Sequence, residues 1–300
     1  MALSPSTNIG CLKNNWHKPR RTLLLELVIH FGVKRPFPLL STFLRRVTRF
    51  FFPIQCVVCG APLADDLIPH FCTGCWSALQ PMPPARCARC DRPFASALAT
   101  AYSPQHLCYA CVERPPSYTR AWTLYPYTSP LQDAIRLLKY QGKVSLVTPL
   151  ANLMLTTLPQ LDTIDLIIPV PLHHARLCQR EFNQALLLAD QIGRHLNISI
   201  SYTNLVRTTS TAPQTSLSRK SRLKNLRHAF AVRHPTQLMN KRILLIDDVF
   251  TTGTTVNECA RTLRRSGSAD VFVLTLARTI DQNLIPDRTH SPASYPCSSH

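Results

Sequence analysis

Negative charge is scarce in this chain of 300 residues: 16 Asp and Glu stand against 34 Lys and Arg, a net +18. That imbalance turns the search away from cationic partners and toward a polyanion, whether nucleic acid, phosphorylated substrate or anionic membrane. The shortage of acid is most severe before Cys56, where nine Lys and Arg face Glu26 alone. The excess therefore reads as an attachable basic arm rather than a uniformly basic fold. Long apolar runs are also missing. Leu23 to Phe31 is short and broken by Glu26 and His30, well below the roughly 20 residues that span a bilayer. Arg20 and Arg21 precede that run, but no small-residue cleavage site follows, which argues against a secretory signal. The expectation is a cytoplasmic protein with the inner face of the membrane within reach of its arm. Hydrophobic residues make up 45% of the chain, enough for a packed core, and the length accommodates one sizeable α/β domain plus a smaller module.

Cysteine is plentiful, at 12 residues, yet its spacing argues against a disulfide scaffold. Eight fall in four CxxC pairs: Cys56/Cys59, Cys72/Cys75, Cys87/Cys90 and Cys108/Cys111. Two thiolates on one tight turn form a knuckle, and a second knuckle completes the tetrahedral shell that Zn²⁺ prefers. With eight thiolates and no His or carboxylate in the set, no ligand position stays open, so two structural Zn²⁺ sites are expected. Sequential pairing is the simplest assignment. Interleaved pairing, disulfides and iron–sulfur ligation all remain open from spacing alone. Within 56–111 the only basic residues are Arg86, Arg89 and Arg92, so this module is not itself strongly cationic.

Four regions follow: a basic arm over 1–55, a cysteine module over 56–115, an α/β domain over 118–279, and a Pro- and Ser-rich tail over 280–300. In the arm, Leu40, Phe43, Leu44, Val47 and Phe51 recur at helical spacing among arginines, which suits a short helix docked on the next module or resting on a charged surface. From Tyr118 the pattern alternates. Strands are expected over 121–127, 164–170, 198–206, 230–233, 243–247 and 271–276. Helices are expected over 131–140, 145–158, 181–196 and 254–265. The basic, hydroxyl-rich stretch 207–228 reads as a mobile loop. Alternating strands and helices call for a parallel sheet covered on both faces.

The run Ile243-Leu-Leu-Ile-Asp-Asp-Val-Phe-Thr-Thr-Gly-Thr-Thr255 carries the most chemistry. An apolar strand delivers Asp247 and Asp248 to its C-terminal end, where open α/β sheets bind ligands. The backbone amides of Thr251, Thr252, Gly253, Thr254 and Thr255 then open a helix and suit a phosphate. The loop lacks lysine, which excludes a Walker A motif. The two carboxylates suit vicinal ribose hydroxyls. This run resembles the 5-phosphoribosyl-1-pyrophosphate fingerprint of type I phosphoribosyltransferases.

Further segments extend the likeness. Lys139-Tyr140-Gln-Gly142, Pro169-Val-Pro-Leu-His173 with Arg176 and Arg180, Glu181-Phe-Asn-Gln184, and Arg207-Thr208 through Gln214, Ser218, Arg222 and Asn225 resemble the ComF family of competence-associated proteins, as does the cysteine module. The resemblance covers about residues 56–278. It implies an α/β fold with a type I phosphoribosyltransferase-like parallel sheet flanked by helices, preceded by a small double zinc-ribbon module. It also implies phosphoribosyl pyrophosphate with Mg²⁺ as ligand, Asp247 and Asp248 at the ribose, and Val170, Pro171, His173, Arg176 and Arg180 around the pyrophosphate. Residues 207–225 would close over the ligand. The implied setting is the handling of single-stranded DNA in natural transformation, with DNA-uptake proteins as partners. Catalysis stays open between a phosphoribosyltransferase and an inactive ribose-phosphate sensor or nucleic-acid-binding protein. One departure stands out: Glu181 occupies a position where the family usually has Gly.

Overall fold

A computed structural model describes residues 54–63, 66–161, 163–208 and 229–280, and all of them fall in one compact unit that begins at Ile54. The amphipathic segment of the arm, most of the expected mobile loop (209–228) and the tail beyond 280 lie outside the described residues.

The cysteine module is built from turns and three short helices, α1 (Thr73–Ser77), α2 (Leu98–Ala101) and α3 (Tyr109–Glu113). The first knuckle of each cysteine cluster repeats one backbone device. Cys56 N donates to Ala61 O at 2.8 Å and Gly60 N to Cys56 O at 2.9 Å; Cys87 N donates to Arg92 O and Asp91 N to Cys87 O, both at 2.9 Å. The residue after the second cysteine is left-handed in each, Gly60 at φ 74° and Asp91 at φ 63°. Glycine adopts this conformation freely and Asp tolerates it.

The α/β domain runs β1 (Arg120–Pro126), α4 (Leu131–Gln141), α5 (Val147–Thr156), β2 (Leu166–Pro169), α6 (His174–Arg180), α7 (Gln184–Leu196), β3 (Leu205–Arg207), β4 (Phe230–Val232), β5 (Arg242–Phe250), α8 (Thr254–Arg265) and β6 (Asp270–Arg278). β1, β6, β5 and β2 form a parallel sheet in that order. The expected parallel sheet flanked by helices is what forms. β5 lies inside it and is apolar on both faces, so both must be covered. Leu244 and Ile246 pack into one core with Leu138 of α4, Leu150 of α5 and Leu188 of α7. Ile243 and Leu245 pack into a second with Val256 and Leu263 of α8, Phe230 of β4 and the four cysteines of the second ribbon.

Two expectations need correction. Among the described residues the stretch 198–206 pairs with the sheet only at an isolated Ile167–Ile200 bridge; its end, β3, pairs antiparallel with β4 in a separate ribbon. The helix expected over 181–196 begins at Gln184, capped by Asn183, whose side chain accepts from Ala185 N. A distinct helix, α6, precedes it.

The second ribbon is welded to β1 through Asp91. This buried carboxylate accepts Thr123 N at 2.6 Å, Thr123 Oγ1 at 2.9 Å and an Arg86 guanidinium nitrogen at 3.0 Å. Removing one partner of such a cluster strands the others out of water. Asp91→Ala should therefore lower unfolding free energy by about 2–4 kcal/mol in urea titration. An unchanged midpoint would show that the weld contributes nothing.

Candidate phosphate site and cysteine clusters

The eight paired thiols gather sequentially. Cys56, Cys59, Cys72 and Cys75 form one group, and Cys87, Cys90, Cys108 and Cys111 the other, each with its sulfurs within 4.8 Å of one another. That decides between sequential and interleaved pairing in favour of the former. None of these cysteines is in a disulfide. Cys59 and Cys72 sulfurs are 3.7 Å apart, and Cys90 and Cys108 sulfurs 3.6 Å. A tetrahedron with metal–sulfur bonds of about 2.3 Å has an edge of about 3.8 Å, so both clusters fit Zn²⁺. Backbone amides stabilise the thiolates: Cys75 N donates to Cys72 Sγ at 3.4 Å and Cys108 N to Cys87 Sγ at 3.3 Å. Hydrogen bonds from the Cys111 and Cys90 thiols, aided by the amides of Cys90 and Cys108, hold the Cys87 thiol far below its ordinary range.

At the other site, β5 carries its carboxylates beyond the point where β2 ends. Strand pleating sends adjacent side chains to opposite faces. Asp248 is buried and pairs with Lys139 Nζ at 2.5 Å. Burial pulls the Lys139 pKa down, but the charge of Asp248 and the hydrogen bond to it outweigh burial, and the pKa lies above that of a free lysine. Asp247 Oδ1 accepts from Asp248 N at 2.9 Å. Its pKa is pushed up to about 8, first by burial and then by the Asp248 charge, against the opposing pull of Lys139. Burial and the neighbouring carboxylate thus make Asp247 costly to ionise, and a cation or hydroxyl donors at its oxygens would relieve that cost.

Phe250 ends the strand and Gly253 caps α8 in the left-handed region, at φ 74°. A Cβ at Gly253 would lie 2.4 Å from the Phe250 ring, so backbone and ring together require glycine. Thr251 and Thr252 are exposed, and Thr252 and Thr254 hydroxyls bond at 2.8 Å. The loop thus exposes Thr251 and Thr252 at the N-terminus of a 12-residue helix, with Thr254 N donating to Thr252 Oγ1 at 3.4 Å, an arrangement that suits an anion.

The second loop starts beside the first. Val170 N donates to Ile246 O at 2.9 Å, and Asn183 Nδ2 donates to Val170 O at 3.0 Å. Pro171 follows, half-buried. His173 is spent locally, its Nδ1 accepting Ala175 N at the start of α6. Arg176 is half-buried and its charge, after burial, helps to depress the Arg207 pKa. Arg180 lies 5.2 Å above the Tyr140 ring and donates to Gln184 Oε1 at 3.3 Å, which brings it next along α4 from Lys139. Sequence reasoning did not single out Lys139 as a site residue. Its signal is positional: it lies four residues after buried Ile135, so a lysine falls on the apolar face of an amphipathic helix.

Residues 47–112 match the double zinc ribbon domain profile and residues 183–289 the phosphoribosyl transferase domain profile. The chain is 34% identical over 239 residues to the DNA utilization protein YhgH of Escherichia coli O6:H1, covering 76% of this chain and 98% of that protein. This chain belongs to the ComF family. Another relative, competence protein F of Haemophilus influenzae, is 32% identical over 237 residues, again with 76% and 98% coverage. ComFC, a competence protein of Streptococcus pneumoniae, matches at 27% over 155 residues, 52% of this chain and 66% of its own. A solved adenine phosphoribosyltransferase from Thermoanaerobacter pseudethanolicus aligns at 13% identity and a TM-score of 0.30, over 46% of this chain and 83% of that one, a likeness too slight to add to the family match. Among the described residues no helix is long and apolar enough to cross a membrane.

Within this ComF chain, Glu181 marks where α6 ends. It is exposed and left-handed, at φ 65° and ψ −10°, which explains physically why glycine suits the position. Its carboxylate follows directly on Arg180. Glu181→Gly should raise unfolding free energy by about 1 kcal/mol by relieving the left-handed strain. A loss of stability by denaturant titration would mean that Glu181 contributes a contact that outweighs the strain.

Proposed function

We propose that this chain binds 5-phosphoribosyl-1-pyrophosphate with Mg²⁺ at the C-terminal edge of β5 and serves the uptake or processing of single-stranded DNA in natural transformation. The observation that carries the reading is the Asp247–Asp248 pair at the end of β5, just before the Thr251–Thr255 loop, with Lys139 paired to Asp248 and Asp247 left hard to ionise. Asp247, which has no ion pair among the described residues, is the group to meet the ribose hydroxyls, and Asp248, whose amide donates to it, is the group that fixes its position. The amides and hydroxyls of Thr251, Thr252, Gly253, Thr254 and Thr255 would take the 5-phosphate. Val170 and Pro171, with Arg176 and Arg180, would line the pyrophosphate; His173 orders the loop. The donor set is all oxygen, as Mg²⁺ prefers, and the cation would neutralise pyrophosphate charge there. In this reading residues 1–55 are a basic arm, 56–115 the double ribbon, 118–279 the ligand-binding domain and 280–300 a tail. The protein works in the cytoplasm, at the inner face of the membrane when the arm engages it.

The chemistry this site suits is ribosyl transfer, in which positioning and charge neutralisation of the departing pyrophosphate do most of the work. Glu181 favours a second reading, a ribose-phosphate sensor without turnover, because it sets a carboxylate beside Arg180. Pyrophosphate exchange with the purified protein separates the two: exchange establishes the enzyme, and ligand binding without exchange establishes the sensor. Phosphoribosyl pyrophosphate with Mg²⁺ should raise the melting temperature, as any native-state ligand does, and the double variant Asp247→Asn/Asp248→Asn should lose that shift. Equal shifts in both proteins would move the ligand elsewhere.

The DNA part of the proposal is supported by charge and by the names of the relatives, a DNA utilization protein and competence proteins. Binding should have little sequence preference and weaken steeply with salt, since each phosphate contact releases counterions. Removing residues 1–50 should weaken oligonucleotide binding at low salt. Equal affinity in the truncated chain would remove the arm from the contact.

A further inference from the structure

The second ribbon reaches the phosphate loop through one buried side chain that neither the zinc clusters nor the ligand reading uses. Arg278 ends β6 and is 8% exposed. Its guanidinium donates to the backbone oxygen of Cys90 at 2.7 Å. The same group lies 4.4 Å above the centre of the Phe250 ring. The ring in turn presses on Gly253, where a Cβ would sit 2.4 Å away, and Tyr118 meets its edge at 6.5 Å. Cys90 belongs to the Cys87, Cys90, Cys108 and Cys111 cluster. The order is therefore cysteine knuckle, carbonyl, guanidinium, ring and loop.

We infer that Arg278 is a positioning residue: it clamps the Phe250 ring between the second ribbon and Gly253 and so holds the Thr251–Thr255 loop in shape. A charge-assisted bond to a carbonyl and a desolvated cation–π contact are each strong in a dry setting, and Arg278 makes both with one rigid plane. The Cys90 carbonyl is a firm anchor because the Cys87–Cys90 turn is fixed by its thiolate cluster. The left-handed turn at Gly253 has no side chain to lock it, so the ring supplies the order that the backbone lacks. The first ribbon has no such route to the loop among the described contacts. The coupling is independent of which anion the loop takes.

Hydrogen exchange on the full-length zinc-loaded protein, with no ligand added, tests this. In Arg278→Met the bonded amides within 251–257, Thr254 on Thr252 Oγ1 and Asn257 on Gly253 O, should exchange about tenfold faster or more, the change expected when one such contact is lost. The amides of 243–247 should keep wild-type protection and the protein should keep two zinc ions. Arg278→Lys should restore protection in part, since an ammonium reaches the carbonyl but does not stack. Wild-type exchange at 251–257 in Arg278→Met would overturn the inference, as would loss of protection spread equally over 243–247. The cluster supplies a second arm that leaves Arg278 intact. Cys111→Ser in the second ribbon should loosen 251–257, whereas Cys59→Ser in the first should not. Equal effects of the two, or none from either, would overturn the coupling. A wild-type protein that shows this exchange pattern yet ignores phosphoribosyl pyrophosphate would refute the ligand reading alone.

Discussion

The constraint on which the rest depends is the burial of β5 on both faces. A strand that reads Ile-Leu-Leu-Ile has no solvent side, so the sheet needs a cover above and below. On one side the cover is conventional, with α4, α5 and α7. On the other, α8 and the small β3–β4 ribbon are joined by the cysteines of the second zinc ribbon. The ribbon has little apolar surface of its own and draws its rigidity from thiolates. In return it closes a core that the α/β elements leave incomplete. The same burial is what makes Asp247 at the end of the strand expensive to ionise.

Lys139 shows how the fold manages that cost. Two adjacent carboxylates at the end of an apolar strand repel one another and resist desolvation. One lysine from α4 neutralises Asp248 and leaves Asp247 with a strongly raised pKa. The site is thereby half-compensated: stable enough to fold around, yet still favouring an incoming cation or hydroxyl donors. A second lysine would quiet the site and none would unsettle the core.

Much of this was legible in the sequence where the signal is local. The run from Ile243 to Thr255 announced strand, carboxylates, glycine turn and helix in order, because each step has its own residue type. The CxxC pairs were legible for the same reason, although spacing alone does not fix which knuckles come together. The helix His174–Arg180 was not, since its seven residues carry no apolar face and no buried member. The stretch 198–206 misled because its β-branched residues pack beneath α7 and against β2 instead of extending the sheet. Asp91 and Arg278 were invisible for a deeper reason: their partners, Thr123 and Cys90, are remote in sequence.

The pairing of Lys139 bears on how the +18 is felt from outside. A cation that is spent inside the fold, as Lys139 is on Asp248 and Arg278 on a carbonyl and a ring, contributes little directed attraction at the surface. Mobile ions reach such pairs poorly, whereas exposed cations are screened over about 8 Å at physiological salt. The positive residues thus divide into an inner set that ionic strength barely touches and an outer set that it silences. Rising salt would quiet the long-range pull on a polyanion while leaving the architecture of the β5 edge intact.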